Sequence, residues 1–529
     1  MDRYILILGA GLMQRPAIEA VKALGYKALV VDANDKALCV KEADRFEKID
    51  LKNKESLASL ALSLKNSLCA VFTAGTDFSA SVAYVAEKCG LKSHSYKAAL
   101  CASDKVIMRT CFARDNVSSP CFREVSDKDD INLIQIDSYP KVIKPVDNMG
   151  ARGCRMIRSE EEKFFSIKDA IDNSRSGRAI LEDYMEGSEF SIDALVCDGN
   201  ITITGFADRH IYYPPYFIEM GHTMPSCIDQ TKKYELINCF ADAIHALGLS
   251  HGAAKADIKY TSKGPMIGEV AGRLSGGYMS GWTYPYASDF DLTKNALEIS
   301  LGLESEELIS RRKKLNINNS FFDIYEVECT KTSAERAWIS IPGTIKEIIG
   351  LDEAGRIENI KDVLPRSCAG DSVIFPVNNV SKCGNIIALA DSYTLASVSA
   401  ETAVSKIVLR LDPLDKSTED FIMKSLGDHR CDFPPCAYDL SANDLDDLLI
   451  KSDTDFINAV PESVKPYLDL SKDYNHRTLR ESLSIIKSLY PNHPDVMAKD
   501  FWNYLLRGGV QGALYLLDSL KIKADHDER

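Results

Sequence analysis

The stretch "AAKADIKYTSKGPMIGEVAGR", Ala253 to Arg273, decides how this chain reads. Two strand-like runs, "KADIKY" and "MIGEVAG", flank the turn Ser262-Lys263-Gly264. Asp257 and Glu269 stand at equal distance from that turn, so pairing about it makes them cross-strand neighbours on one face. Two acids that close repel each other unless a cation sits between them. Oxygen-only ligands suit Mg²⁺, which also binds triphosphate. The blander alternative is a pair of solvated acids. Arg273 follows Glu269 by four residues, the spacing of a helical ion pair, but glycines 268, 272, 276, 277 and 281 break any such helix.

Two upstream segments share this polar, glycine-rich character. In "VIKPVDNMGARGCRMI" (142–157) a strand ends at Lys144-Pro145 and runs into a loop holding Gly150 and Gly153. Glycines let backbone N–H groups approach phosphate oxygens, Lys144 adds positive charge, and Arg152 offers a planar donor. The lysine-serine/threonine ending of a Walker loop is absent, and a plain surface turn is the alternative. In "AILEDYMEGSEFSID" (179–193) a strand leads through Glu182, Asp183 and Met185 to Glu189. Such a crossing can offer its edge to an adenine and a carboxylate to ribose hydroxyls, or can simply be a strand with exposed acids.

The rest of the chain sets the frame. Its 529 residues exceed one core, and about three or four domains are expected. The balance of 45% hydrophobic and 26% charged residues is that of a globular protein, and no apolar run is long enough to span a membrane. A net charge of −14 argues against a nucleic-acid partner. The N-terminus reads as a strand rather than a signal peptide. The 15 cysteines are scattered, with Cys431 and Cys436 the nearest to a pair; they read as reduced, buried side chains of a cytoplasmic protein.

Residues 1–100 alternate strand and helix, which implies a parallel, doubly wound sheet. Gly9-Ala10-Gly11 with Asp32 hints at a dinucleotide fingerprint, but Gln14 and Arg15 stand where its third glycine belongs. A tight strand-to-helix turn is the other reading. Residues 101–320 read as an α+β arrangement, an antiparallel sheet with covering helices. Residues 321–413 read as short strands closed by a helix, and 414–529 as an acidic, helical extension.

Lys144 with its glycine loop, Glu182 to Glu189, and the Asp257/Glu269 hairpin followed by R-x-x-G-G resemble the ATP-grasp superfamily. The order and spacing match over about residues 101–303. Residues 1–100 look like the Rossmann-like domain that precedes the grasp, and 321–413 are similar to the small β-rich domain of biotin carboxylase-like members. The carboxylate–amine ligases, including L-amino-acid ligases, are the subgroup resembled most. The resemblance implies a multidomain α/β and α+β fold with a two-lobed grasp, its lid lobe at about 101–185.

It further implies ATP and Mg²⁺, or Mn²⁺ in its place. Lys105 and Lys144 would contact the α- and β-phosphates. The loop holding Asn148, Gly150, Arg152 and Gly153 would be a lid over the β- and γ-phosphates. Glu182, Asp183 and Met185 would face adenine, and Glu189 the ribose. Asp257 and Glu269 would hold metal. Arg273, with amides around Ser275, Gly276 and Gly277, would grip the carboxylate and its phosphorylated form. Most members carry an asparagine two residues after the second acid, where this chain has Ala271. Glu219, Gly221, His222 and Pro225 match an E-x-G-H-x-x-P segment at the substrate pocket of similar ligases, and Arg209 lies just upstream.

The implied activity is ATP-dependent ligation of a small carboxylic acid to an amine or amino acid through an acyl phosphate, releasing ADP and phosphate. Alternatives are a bicarbonate-activating enzyme, against which the missing Q-V-E-H continuation counts, and a nucleotide-binding regulatory protein with impaired catalysis. The helical extension reads as a packing or homodimerisation module. The base that deprotonates the amine has no signature.

Overall fold

The computed structural model describes residues 2–424, 433–438, 440, 460, 462, 464–492 and 496–527. The acidic stretch 441–459 and Cys431 lie outside the described residues. The chain divides into two compact units. The first holds residues 1–210, 222–333 and 390–393, and the second holds 211–221, 334–389 and 394–529.

The first unit opens with β1 (Tyr4–Leu8), α1 (Arg15–Ala23), β2 (Lys27–Asp32), β3 (Arg45–Lys48), α2 (Lys54–Ser63), β4 (Leu68–Phe72) and α3 (Ser79–Cys89). The strands form a parallel sheet in the order β3-β2-β1-β4. β1 is buried from Ile5 to Leu8, as a strand covered on both faces must be. α1 starts with Pro16 in its first turn, and Gly25 beyond it takes φ +80°. The glycine turn after β1 is filled by the protein itself: Asp32 Oδ2 accepts from the Ala10 N–H at 2.8 Å, and the Gln14 side chain bridges Gly11 N–H and the Ala74 carbonyl. Gln14 thus occupies the space over Gly9 where a dinucleotide phosphate would approach, and the turn is structural.

Next come α4 (Tyr96–Ser103), α5 (Lys105–Arg114), β5 (Phe122–Ser126), β6 (Lys141–Pro145), β7 (Arg155–Ile157), α6 (Glu160–Asp172) and β8 (Arg178–Asp183). Strands β5-β8-β6-β7 form an antiparallel sheet, and α6 packs against it through Ile167, Ala170 and Ile171. Asp104 caps α5 by accepting from the Val106 and Ile107 N–H groups.

The next elements are β9 (Gly187–Cys197), β10 (Asn200–Tyr212), β11 (Ile218–Met224), α7 (Gln230–Leu247), β12 (Gly252–Thr261) and β13 (Gly264–Ala271), whose strands belong to a third sheet. Strands β13-β12-β9-β10 are consecutive and antiparallel. The β9–β10 hairpin turns at Asp198 (φ +51°) and Gly199 (φ +76°), both in the left-handed region that a tight hairpin demands. Phe190, Ile192, Ala194, Ala256, Ile258 and Val270 point to one face and bury against Leu236, Phe240 and Ile244 of α7 and Phe112 of α5. Period-2 alternation sends their neighbours to the other face.

Strands Thr332–Trp338, Gly384–Ala390 and Ile360–Pro365, most of whose residues belong to the second unit, lie side by side in that order. Helices Tyr393–Lys406, Leu479–Leu489 and Ala498–Asp527 complete it, the last interrupted at Gly509. No described helix is long and apolar enough to cross a membrane. The cysteines among the described residues are free thiols.

Candidate active site

The polar face of the third sheet carries the candidate chemistry. Register places Glu189, Ser191 and Asp193 of β9 opposite Lys259, Asp257 and Lys255 of β12. On the other side of β12, Asp257 pairs with Glu269 and Lys255 with Ala271. The two acids of the hairpin are therefore direct cross-strand partners, with a register irregularity just beyond Asp257.

Each acid has cationic neighbours. Asp257 meets Lys255 at 2.5 Å and Arg209 at 2.8 Å. Arg209 also reaches Glu189 at 2.6 Å, and Lys259 stands 3.3 Å from Glu189. Arg209 thus bridges the hairpin acid and the strand acid. Glu269 lies 3.3 Å from Lys105, and its side chain stays 36% exposed. Burial pushes the Glu269 carboxyl up, but Lys105, Lys144, Lys255 and Arg273 together outweigh that and hold it down at about 2. Burial alone would lower Lys105; Glu269 and Asp77 raise it instead.

These acids fit a divalent cation. Both are oxygen donors on one face. Asp257 Oδ1 accepts no aligned hydrogen bond from the protein despite its ion pairs. Ala271 supplies no third ligand, so any further coordination there comes from elsewhere.

The loop 146–154 stands close by. Lys105 Nζ donates to the Asn148 carbonyl at 3.1 Å, and Asn148 Nδ2 to the Asn173 carbonyl at 2.7 Å. Gly150, Ala151 and Gly153 all have φ between +59° and +69°. A Cβ at Gly153 would sit 2.7 Å from Asn173 Cβ and 3.0 Å from Pro145 Cγ, so only glycine fits. Arg152 Nη1 reaches the Met149 carbonyl at 3.5 Å.

Glu182 is enclosed, 2% exposed, rather than open to an adenine. Its carboxylate is shared by Arg109 at 2.7 Å and Lys144 at 2.6 Å. Burial opposes its charge, but those two cations lower its pKa. Arg109 also donates to the Gly268 carbonyl at 2.6 Å, tying α5, β8 and β13 together. Asp183 pairs with Lys141 at 2.6 Å, and the Met185 carbonyl accepts from Lys259 at 3.2 Å.

The glycine loop after β13 docks on the first sheet. Arg273 Nη1 donates to the Leu274 carbonyl at 2.9 Å, and its Nε lies 3.8 Å from Asp77. Leu274 bridges to Ala74, and Gly276 packs on Gly75 so closely that a Cβ would come within 3.2 Å of the Gly75 carbonyl oxygen. Gly277 takes φ +61°. Asp193 anchors the loop from below: its Oδ2 accepts from the Ser275 N–H at 3.0 Å and the Ser275 hydroxyl at 2.7 Å. Burial pushes the Asp193 carboxyl up to about 6.

Two candidates remain. His222 is fully enclosed and its Nε2 meets the Thr283 hydroxyl at 2.7 Å. Glu219 belongs to the second unit, where its N–H donates to Asn379 and its carbonyl accepts from Lys382. Arg109, Asp193, Lys255 and Asp77 carry no sequence signature of their own. Arg109 follows Lys105 by four residues on one helix face, and Asp193 continues the alternation of Glu189 and Ser191; these were the available signals.

Residues 137–281 match the ATP-grasp domain family. The chain carries an ATP-grasp domain. Residues 337–412 match L-amino acid ligase C-terminal domain 2. The uncharacterised protein y4rH of Sinorhizobium fredii is 22% identical over 419 residues, covering 77% of this chain and 83% of its own. Alanine–anticapsin ligase of Bacillus subtilis is 25% identical over 231 residues, covering 39% of this chain and 48% of the ligase. The L-amino acid ligase of Bacillus licheniformis superposes with TM-score 0.66 at 17% identity, covering 78% of this chain and 99% of that one. That likeness shows a shared fold.

Proposed function

We propose that this chain is an ATP-dependent carboxylate–amine ligase that joins a small carboxylic acid to an amine, an amino acid being the leading candidate, and releases ADP and phosphate. The observation that carries the reading is the single polar sheet face on which Asp257 and Glu269 pair across strands, with Lys105 and Lys144 beside them and the Arg273 loop at the end of the same strand. The likeness to alanine–anticapsin ligase over 231 residues supports the reaction class.

A carboxylate is a poor electrophile. One of its oxygens attacks the γ-phosphorus of ATP, the bond to the β-γ bridging oxygen breaks, and ADP leaves. The amine then attacks the acyl carbon, loses a proton, and expels phosphate. Both steps require positioning and charge neutralisation rather than a covalent enzyme nucleophile. Asp257 and Glu269 would hold Mg²⁺, which supplies charge neutralisation on the phosphates when bound. Lys105 and Lys144 orient phosphate oxygens. Arg273, with the Ser275–Gly277 amides, grips the carboxylate and its phosphorylated form. Asp193 keeps that loop in place. The 148–153 loop excludes water, which would hydrolyse the acyl phosphate.

The test is a panel of acids crossed with amines, scored by phosphate release and product mass. A product equal to acid plus amine minus water is expected for at least one pair, with ADP release dependent on both. Glu269→Gln should reduce turnover by about 10²–10³-fold or more. ADP release that follows bicarbonate alone, or nucleotide binding with no turnover on any pair, contradicts the proposal.

A further inference from the structure

Cys197, Asp198 and His251 meet at the end of β9, four residues or roughly 13 Å along the strand from Asp193. They arrive on two separate turns, the β9–β10 hairpin and the segment leading from α7 into β12. Their ligand atoms all lie within 4.8 Å of one another. Cys197 Sγ is 3.7 Å from His251 Nδ1 and 3.3 Å from Asp198 Oδ2. A tetrahedral zinc with Zn–S of about 2.3 Å and Zn–N or Zn–O of about 2.0–2.1 Å has S···N and S···O edges of about 3.5 Å. The two separations match the edges of one such tetrahedron.

The imidazole is oriented from outside the cluster. His251 Nε2 lies 3.0 Å from the Ile299 carbonyl oxygen, which can only accept. Nε2 therefore carries the proton and Nδ1 turns its lone pair toward the thiol, the arrangement by which a backbone carbonyl fixes a ligating histidine. Asp198 is held in the left-handed region by its place in the hairpin turn. Burial and the Asp198 carboxylate push the Cys197 thiol up to about 11, and Lys92 and Arg312 oppose this without reversing it, so a metal bound here has to displace the thiol proton. A thiol and an imidazole suit zinc better than a hard, oxygen-preferring cation. Cys197 and His251 are half-buried and Asp198 is exposed, which leaves the fourth tetrahedral position to water.

We propose that Cys197, Asp198 and His251 form a zinc site, completed by water and separate from the Asp257/Glu269 pair, that staples the β9–β10 hairpin to the entry of β12. The full chain, freed of metal with a chelator, is titrated with Co²⁺. One equivalent should produce a thiolate-to-cobalt charge-transfer band that Zn²⁺ displaces. The band should persist in Glu269→Gln and vanish in Cys197→Ser and His251→Gln. A second measurement needs no variant: alkylation of each cysteine followed by mass spectrometry, with and without micromolar Zn²⁺. Zinc should slow modification of Cys197 at least tenfold while leaving the exposed Cys121, Cys227 and Cys368 unchanged. Absence of the band in the wild-type chain, its survival in Cys197→Ser, or equal alkylation of Cys197 with and without zinc would each overturn the proposal and leave an ordinary thiol–imidazole contact.

Discussion

Glu182 shows how much a single enclosed charge organises. Its two oxygens are divided between Arg109, which is also fully buried, and Lys144. Removing one partner of a buried ion pair strands the other charge, at a cost of about 3–5 kcal/mol, whereas exchanging both for apolar groups can be nearly neutral. Arg109→Met should lower unfolding stability by that amount in urea titrations, and Arg109→Met with Glu182→Leu should recover most of it. A loss in the single variant below about 1 kcal/mol would mean that Lys144 alone satisfies the carboxylate. The sequence singled out Lys144 beside its glycine loop, Glu182 on its strand, and Lys105 through the family resemblance, but it could not pair them. Arg109 looked like any helix arginine, and its role arises only when β8 and β13 come together beside α5.

Among the elements, the β12–β13 hairpin was the most legible. A short glycine-containing turn with acids at equal distances on either side specifies its own register, and the structure adds only a local irregularity after Asp257. The β9–β10 hairpin is signalled as clearly in the sequence by its Asp198-Gly199 turn. β3 was missed because "RFEK" is four residues at a sheet edge with no apolar run to mark it. Asp193 was missed because its importance comes from pairing with distant strands and the Ser275 loop. The last helix reads from its periodicity as one continuous segment through "RGGVQG", yet Gly509 leaves the helical region at φ 63°, ψ −155°. A Cβ there would lie 3.2 Å from Asp473 Oδ2 in a conformation open mainly to glycine. Gly509→Ala should therefore destabilise by about 1–3 kcal/mol in thermal or urea unfolding. A gain of stability, the usual result of Gly→Ala within a helix, would show that the helix runs unbroken.

At the scale of the whole molecule, the succession of a parallel α/β sheet, an antiparallel lobe, a larger antiparallel sheet and a further β-containing region was readable from the alternation of periodicities. The division into a first unit and a second that gathers residues from three separate stretches was not readable, because it depends on contacts between segments far apart in sequence. All of the acids and basic side chains assigned to nucleotide and metal belong to the first unit. The account rests on the paired acids Asp257 and Glu269 receiving a divalent ion together with nucleotide. Its most direct test is a crystal of the full chain with Mn²⁺ and ADP, measured at the manganese edge. An anomalous peak with carboxylate oxygens of both Asp257 and Glu269 within about 2.0–2.3 Å, beside the nucleotide phosphates, is the expected result. Bound ADP with no peak at that pair, or a peak held by other residues alone, would contradict it.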